Sequence, residues 1–183
     1  MEASRYTATA IVLHWLIALA IIGMVALGFY MTGLPFSPHK LQWYSWHKWT
    51  GVCVLLLALF RLGWRISHRP PALPQHMNSL ERLAAHAGHG MLYLLMFAIP
   101  LSGWLMSSAK GFQTVLFGVL PIPDLLERNP ELGNLLAGVH GGLNVLLIAV
   151  VIGHAAAALK HHFIDKDDVL TRILPRHAKQ SYQ

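Results

Sequence analysis

The stretch that decides the fold is VHGGLNVLLIAVVIGHAAAALK, residues 139–160. It is long enough to cross a hydrocarbon layer roughly 30 Å thick as one helix. Before Lys160, its only ionisable residues are His140 and His154. Because they are 14 positions apart, an α-helix places them about 40° apart around its axis and ~21 Å apart along it. One helix therefore presents two imidazoles in nearly one direction, near opposite edges of a bilayer.

The composition is that of a membrane protein. Of the 183 residues, 55% are hydrophobic and only 12% are charged, whereas about a quarter of the residues of a soluble domain are charged. The net charge of +6 raises the question of nucleic-acid binding, but the cations stand between hydrophobic runs and form no basic face with interleaved aromatics. We therefore expect no nucleic-acid partner. A single cysteine, Cys53, excludes an intramolecular disulfide.

Four stretches are long and apolar enough to span a membrane, at about 9–31, 48–67, 87–107 and 139–160. Because a bilayer core offers no water to backbone groups, each stretch should be a helix. We expect an all-α membrane protein, a four-transmembrane-helix bundle that forms one domain over residues 1–183 and has membrane lipid as a partner. The apolar part of the outer loop, 112–126, is too short to span and is expected along the interface.

Lysine and arginine are distributed unevenly between the connections. Ten lie at the N-terminus, in the 61–83 region or after Leu159, and four lie in the other two connections. The positive-inside rule then predicts that both termini are cytoplasmic. The ten are Arg5, Arg61, Arg65, Arg69, Arg82, Lys160, Lys166, Arg172, Arg176 and Lys179, and the four are Lys40, Lys48, Lys110 and Arg128.

This orientation gives each histidine of the spans a depth. His14 and His154 fall together near the cytoplasmic ends of the first and fourth helices, and His47 and His140 fall together at the outer ends of the second and fourth. Ionisable residues are costly inside a membrane, so each of them needs a partner. A lone histidine usually forms only a hydrogen bond to a neighbour, but two depth-matched pairs favour ligand sites.

Haem iron suits such pairs better than zinc does. Two imidazoles from facing helices can bind a haem iron on both faces, which favours electron transfer. Zinc usually takes more protein ligands, and the spans contain no Asp, no Glu and no paired Cys. Arg61 lies 14 positions after His47, at the depth of the inner pair. Its guanidinium would either pair with a haem propionate or extend to the cytoplasmic interface.

Four segments together resemble the bacterial cytochrome b561 family: IVLHWL at 11–16, WHKWTG at 46–51, LAAHAGH at 83–89 and GHAAAALKHHF at 153–163. The similarity covers almost the whole chain, with four helices in matching order. It implies a membrane protein with two haem b groups. It also implies His14 and His154 as axial ligands of the inner haem iron, and His47 and His140 as those of the outer haem iron.

One type in this family passes electrons from superoxide outside to ubiquinone in the membrane. The resemblance therefore implies an oxidoreductase of the bacterial inner membrane that acts on superoxide and reduces ubiquinone. A positive patch at His39, Lys40 and Lys48 would attract such an anion, although contact with lipid headgroups explains the patch equally well.

Quinone reduction needs protons as well as electrons, and histidine titrates in the useful range. His161 follows the last ligand by about two turns on almost the same face. We predict it as a hydrogen-bond donor or proton relay for the quinone, with His89 as a second candidate. Ordinary interfacial positions explain both residues equally well.

Two other functions fit the same residues. In one, the protein is a haem b membrane subunit that relays electrons between quinone and a partner dehydrogenase, hydrogenase or soluble cytochrome. In the other, it is a metal-ion or proton transporter that uses histidines. The spans lack carboxylates and paired broken helices, which counts against the transporter.

Overall fold

The computed structural model describes residues 5–175, and they contain four long helices. These are α1 (Ala8–Gly33), α2 (Pro38–Ser67), α3 (Ser79–Ala109) and α4 (Pro130–Phe163). Each is long and apolar enough to cross a membrane. A short antiparallel hairpin, β1 (Val115–Leu116) and β2 (Leu120–Pro121), lies between α3 and α4. The predicted all-α bundle of four membrane-spanning helices is confirmed.

Three of the helices begin well before the apolar runs that predicted them. α2 begins at Pro38 rather than at 48, α3 at Ser79 rather than at 87, and α4 at Pro130 rather than at 139. Hydropathy missed the added turns because they are polar, but each starts at a residue whose side chain accepts a backbone N–H. These capping residues are Ser37, Asn78 and Asn129.

The longer helices change where the histidines lie within them. His47, His89 and His140 stand between two and three turns inside α2, α3 and α4. The prediction that His47 and His140 lie at the ends of their helices was therefore wrong. The predicted pairing of the histidines does not depend on the helix ends. His14 still lies beside His154, and His47 still lies beside His140.

α1 packs mainly on α2, and α3 packs on α4, while α2 and α3 join the two halves. A small buried cluster lies where α1, α2 and α3 meet, and it is formed by Ile17, Ala58 and Met96. Large apolar side chains such as Val12, Leu19 and Ile22 stay exposed on the outside of the bundle. Such a surface suits contact with lipid rather than with water.

The segment 112–126 forms the hairpin and its flanks at one end of the bundle. Trp49 Nε1 donates a hydrogen bond to the Val115 carbonyl (2.7 Å), which ties the hairpin to α2. Phe117, Val119 and Leu120 are exposed at its turn. Its location along the membrane interface stays a prediction.

The chain folds back across the other end of the bundle after α4. Arg5 donates hydrogen bonds to the carbonyls of Thr171 (2.8 Å) and Leu174 (2.9 Å), and Trp15 Nε1 donates to that of Ile173 (2.9 Å). This segment therefore closes the end at which α1 begins and α4 ends. Arg176 and Lys179, which contribute to the predicted orientation, lie outside the described residues.

Candidate functional site

Four histidines form two pairs at two levels of the bundle. The ring centres of His14 and His154 are 6.2 Å apart, and those of His47 and His140 are 6.4 Å apart. Two metal–imidazole bonds of about 2 Å on opposite sides of one ion, plus about 1.2 Å from each nitrogen to its ring centre, give roughly 6.4 Å. Each pair thus has the separation that a single ion between two imidazoles requires.

The pair on α2 and α4 lies on a cavity of about 900 Å³. A Cβ atom added at Gly103 would lie 3.1 Å from His140 Cε1, and one added at Gly28 would lie 3.7 Å from His47 Cε1. Glycine at these positions leaves room for the imidazoles and for a flat group beside them. The apolar lining of the cavity includes Ile21, Met24, Val25, Leu95, Met96 and Leu147.

Hydrogen bonds fix one ring of this pair. His140 Nδ1 lies 3.1 Å from the Ile99 carbonyl oxygen and 3.0 Å from Ser102 Oγ. The Ser102 hydroxyl itself donates to Ile99 O (2.8 Å), so its oxygen can accept from the imidazole. A protonated Nδ1 in this position leaves Nε2 as the free ligand atom. His47 Nδ1, by contrast, is buried without a hydrogen-bond partner among the described residues.

The pair on α1 and α4 has a third imidazole beside it. The ring of His89 lies 5.4 Å from that of His154, closer than His14 does. His89 Nδ1 is 2.7 Å from the Ala85 carbonyl oxygen, to which its N–H donates. The Nε2 atom of His89 is then free to accept a proton or a hydrogen bond at the edge of the inner pair. The sequence did not predict this contact, because it depends on the rotation of α3.

Arg61 points into the bundle at the level of the inner pair, as its spacing predicts. Its Nη1 donates to the Ala10 carbonyl (3.0 Å), and its Nη2 lies 3.3 Å from His14 Nδ1. The guanidinium therefore stands beside one imidazole of the pair. Whether it meets a propionate stays a prediction.

A family model described as prokaryotic cytochrome b561 matches residues 5–176. The chain belongs to this family.

Three relatives are similar over nearly their whole length. Cytochrome b561 homolog 2 of Escherichia coli (strain K12) is 37% identical over 174 residues, covering 93% of this chain and 91% of that protein. The probable superoxide oxidase CybB of Yersinia pestis is 30% identical over 175 residues, covering 94% and 97%. Cytochrome b561 homolog 1 of Escherichia coli (strain K12) is 29% identical over 179 residues, covering 94% and 98%.

Prokaryotic cytochromes b561 are membrane proteins that bind haem b and transfer electrons. The predicted family is confirmed, and with it transmembrane electron transfer as the class of activity. The residues present fit haem b, since the cavity offers an apolar space beside two imidazoles at a metal-bridging distance. Within residues 5–175, the buried Nδ1 of His47 has no hydrogen-bond partner, which is consistent with a ring that a metal ion orients.

Apart from the two histidine pairs, this cytochrome b561 family member has a cluster of polar side chains at the end of α4. His161 is only 8% exposed, and its Nδ1 lies 2.7 Å from Asp167 Oδ2 and 3.2 Å from Asp165 Oδ2. His76 Nε2 reaches the same Asp167 oxygen at 3.2 Å. Burial acts to raise the pKa of Asp167, but hydrogen bonds from the Val169 N–H and from His161 outweigh it and hold this pKa below its usual value.

The sequence indicated His161 but neither of its acidic partners nor His76. Asp165 and Asp167 follow in the polar sequence IDKDD at 164–168, and only the reversal of the chain after α4 brings them back onto the helix. The sequence predicted no function for His76, because this residue lies in a polar loop and is far from His161 in the sequence.

Lysine side chains also form part of the wall of the cavity. Lys40, Lys48 and Lys110 all line it. Lys48 Nζ also donates to the backbone carbonyls of 112–113, at 3.1 and 3.2 Å. His39, also predicted to belong to this patch, accepts a hydrogen bond from the Trp43 indole (3.0 Å). Lys110 was missed because it lies in a different connection of the chain.

Proposed function

We propose that this protein is a transmembrane oxidoreductase that carries electrons through two bis-histidine haem b groups, from superoxide at the outer face to ubiquinone in the membrane. The observation that carries the proposal is the pair of imidazole–imidazole separations, 6.2 and 6.4 Å, at two levels of one bundle. Haem b supplies one-electron redox chemistry when it is bound.

In this proposal His14 and His154 would hold the iron of the inner haem, and His47 and His140 would hold that of the outer haem. An iron held by two imidazoles would serve electron transfer rather than oxygen binding. α4 donates one ligand to each site, which fixes the distance between the two. Arg61, beside the inner pair, is proposed to neutralise a propionate there.

The outer face is proposed to be the one that carries the large cavity, with both termini on the cytoplasmic side of a bacterial inner membrane. Lys40, Lys48 and Lys110 line that cavity, and their charge would raise the local concentration of an anion such as superoxide. A relative named as a probable superoxide oxidase, at 30% identity, supports the same substrate.

His161 is proposed to donate a hydrogen bond or a proton to the quinone near the inner haem. In the imidazolium form, its Nδ1–H donates to Asp167 and fixes the ring. Its Nε2–H can then donate to a quinone oxygen. The exposed imidazole of His76 lies 3.2 Å from the same carboxylate oxygen, so Asp167 links the buried ring to a side chain at the surface. His89, at the edge of the inner pair, is the second proposed proton carrier.

The test is rapid mixing of the purified, haem-loaded protein. Superoxide should reduce the oxidised haems, and a soluble ubiquinone analogue should reoxidise them, within single turnovers. Haems that exchange electrons with quinone but ignore superoxide would overturn the proposed donor. They would favour instead a membrane subunit that serves a dehydrogenase, hydrogenase or cytochrome partner.

A further inference from the structure

A cluster of metal-ligating atoms lies at the end of α4, apart from both histidine pairs. His76 Nε2, His161 Nδ1 and Asp167 Oδ2 all lie within 4.8 Å of one another. The three side chains come from the loop before α3, the end of α4 and the segment that follows it. Three parts of the chain thus converge on one point.

We propose that His76, His161 and Asp167 bind one divalent transition-metal cation of the zinc type. Two imidazoles and one carboxylate are a common zinc ligand set, and the fourth position is then held by water. Bonds of about 2.0–2.2 Å in a tetrahedral site separate neighbouring ligand atoms by roughly 3.3 Å. The carboxylate oxygen already lies 2.7 and 3.2 Å from the two imidazole nitrogens, so small shifts make the site.

Hydrogen bonds hold the carboxylate in the direction that a metal needs. Asp167 Oδ1 accepts from the Val169 N–H (3.0 Å), which leaves Oδ2 turned toward the two histidines. The Asp167 N–H donates in turn to the His161 carbonyl (3.0 Å). Such partners orient a ligand before the metal arrives. The side chain of His76 is 55% exposed, so an ion reaches the cluster directly from solvent.

The surrounding charges favour a cation. Asp165 Oδ2 lies 3.2 Å from His161 Nδ1 and adds a second carboxylate beside the site. Lys160, one residue before His161, is paired with Asp165 (2.7 Å) and with Glu81 (3.1 Å), so two carboxylates offset its charge. Imidazole ligands select zinc, copper or nickel over magnesium and calcium.

An ion at this position would fasten the loop before α3 to the end of α4. Bound through Nδ1 of His161, it would also replace the hydrogen bond to Asp167. If His161 serves the quinone, as proposed above, the ion would also alter quinone reduction. That effect rests on the proposed function, whereas binding of the ion does not.

The experiment uses the full, haem-loaded protein in detergent, so that the ligand histidines of the haems are occupied. After chelator treatment, Zn²⁺ alone is titrated by calorimetry or by competition with a coloured chelator. We expect one equivalent to bind per chain, and His76→Ala or Asp167→Asn to weaken binding at least about tenfold. His86→Ala, which removes an exposed histidine of α3 outside the cluster, should bind as the wild type does.

A second measurement does not depend on activity. Zn²⁺ at one fixed concentration should raise the thermal unfolding temperature of the wild type and of His86→Ala by more than that of His76→Ala, because a ligand that binds only the folded state stabilises it by an amount that grows with its affinity. The haem spectrum should be the same in all of these proteins. Absence of zinc binding, or equal binding by the wild type, His76→Ala and Asp167→Asn, would overturn the site. Either result would leave the test of electron transfer unaffected.

Discussion

Ser102 on α3 and His140 on α4 form a hydrogen bond of 3.0 Å between Oγ and Nδ1. The serine is buried and donates its own proton to the Ile99 carbonyl. Its oxygen therefore accepts from the imidazole and leaves Nε2 as the atom that can bind a metal ion. This contact joins α3, which carries no proposed haem ligand, to the proposed outer haem site.

The variant Ser102→Ala should shift the potential of the outer haem and leave its content unchanged. The serine makes the imidazole a stronger electron donor, which stabilises ferric iron. Its loss should raise the potential, while Ile99 O still holds the ring. A hydrogen bond of about 1 kcal/mol corresponds to roughly 40 mV for one electron. Redox titration of the two haems measures this shift, and a shift confined to the other haem would contradict the assignment.

Gly103→Ala should disturb the same ring by contact. The new Cβ would lie 3.1 Å from His140 Cε1, so the imidazole must move by a few tenths of an ångström. We expect part of the outer haem to be lost or its absorption spectrum to change. The matched control is Gly90→Ala on the same helix, where an added Cβ meets nothing within 4 Å. Absorption spectra compare the two variants, and equal spectra would place the haem elsewhere.

His161→Ala should slow electron transfer to the quinone and leave reduction by superoxide unchanged. The loss of a positioned proton donor usually costs about 10²–10⁴-fold in rate. The neighbouring His162→Ala is the control, since His162 lies in the same helical turn and packs on Phe163, whereas His161 contacts Asp167. Stopped-flow reoxidation by a ubiquinone analogue gives the rate. A normal rate in His161→Ala would remove this residue from the quinone site.

The two histidine pairs could be predicted from the spacing of histidines within a helix and from their depth in the membrane. The positions of His140 and His154 within one helix follow from their spacing alone, and their partners follow from depth. The remaining features of the haem region depend on packing. The approach of His89 to His154 requires a particular rotation of α3, and the bond from Ser102 to His140 requires a particular contact between α3 and α4.

The sequence predicted the helix ends less well, and it did not predict the cluster of His76, His161 and Asp167. The polar first turns of α2, α3 and α4 are set by capping at Ser37, Asn78 and Asn129, and hydropathy does not detect capping. Asp167 meets His161 and His76 only because the chain reverses after Phe163. Contacts of that kind join residues that are separated by polar sequence without any periodic pattern.

The central claim is that two histidine pairs hold two haems, and the number of haems per chain tests it most directly. Quantitative haem extraction from the purified protein should give two haem b groups per chain. His47→Ala should retain one haem, the inner one, and His14→Ala should retain the outer one, because each variant removes one ligand of one site. His86→Ala should retain both. A wild type with one haem or none, or single-ligand variants that still hold two, would contradict the account.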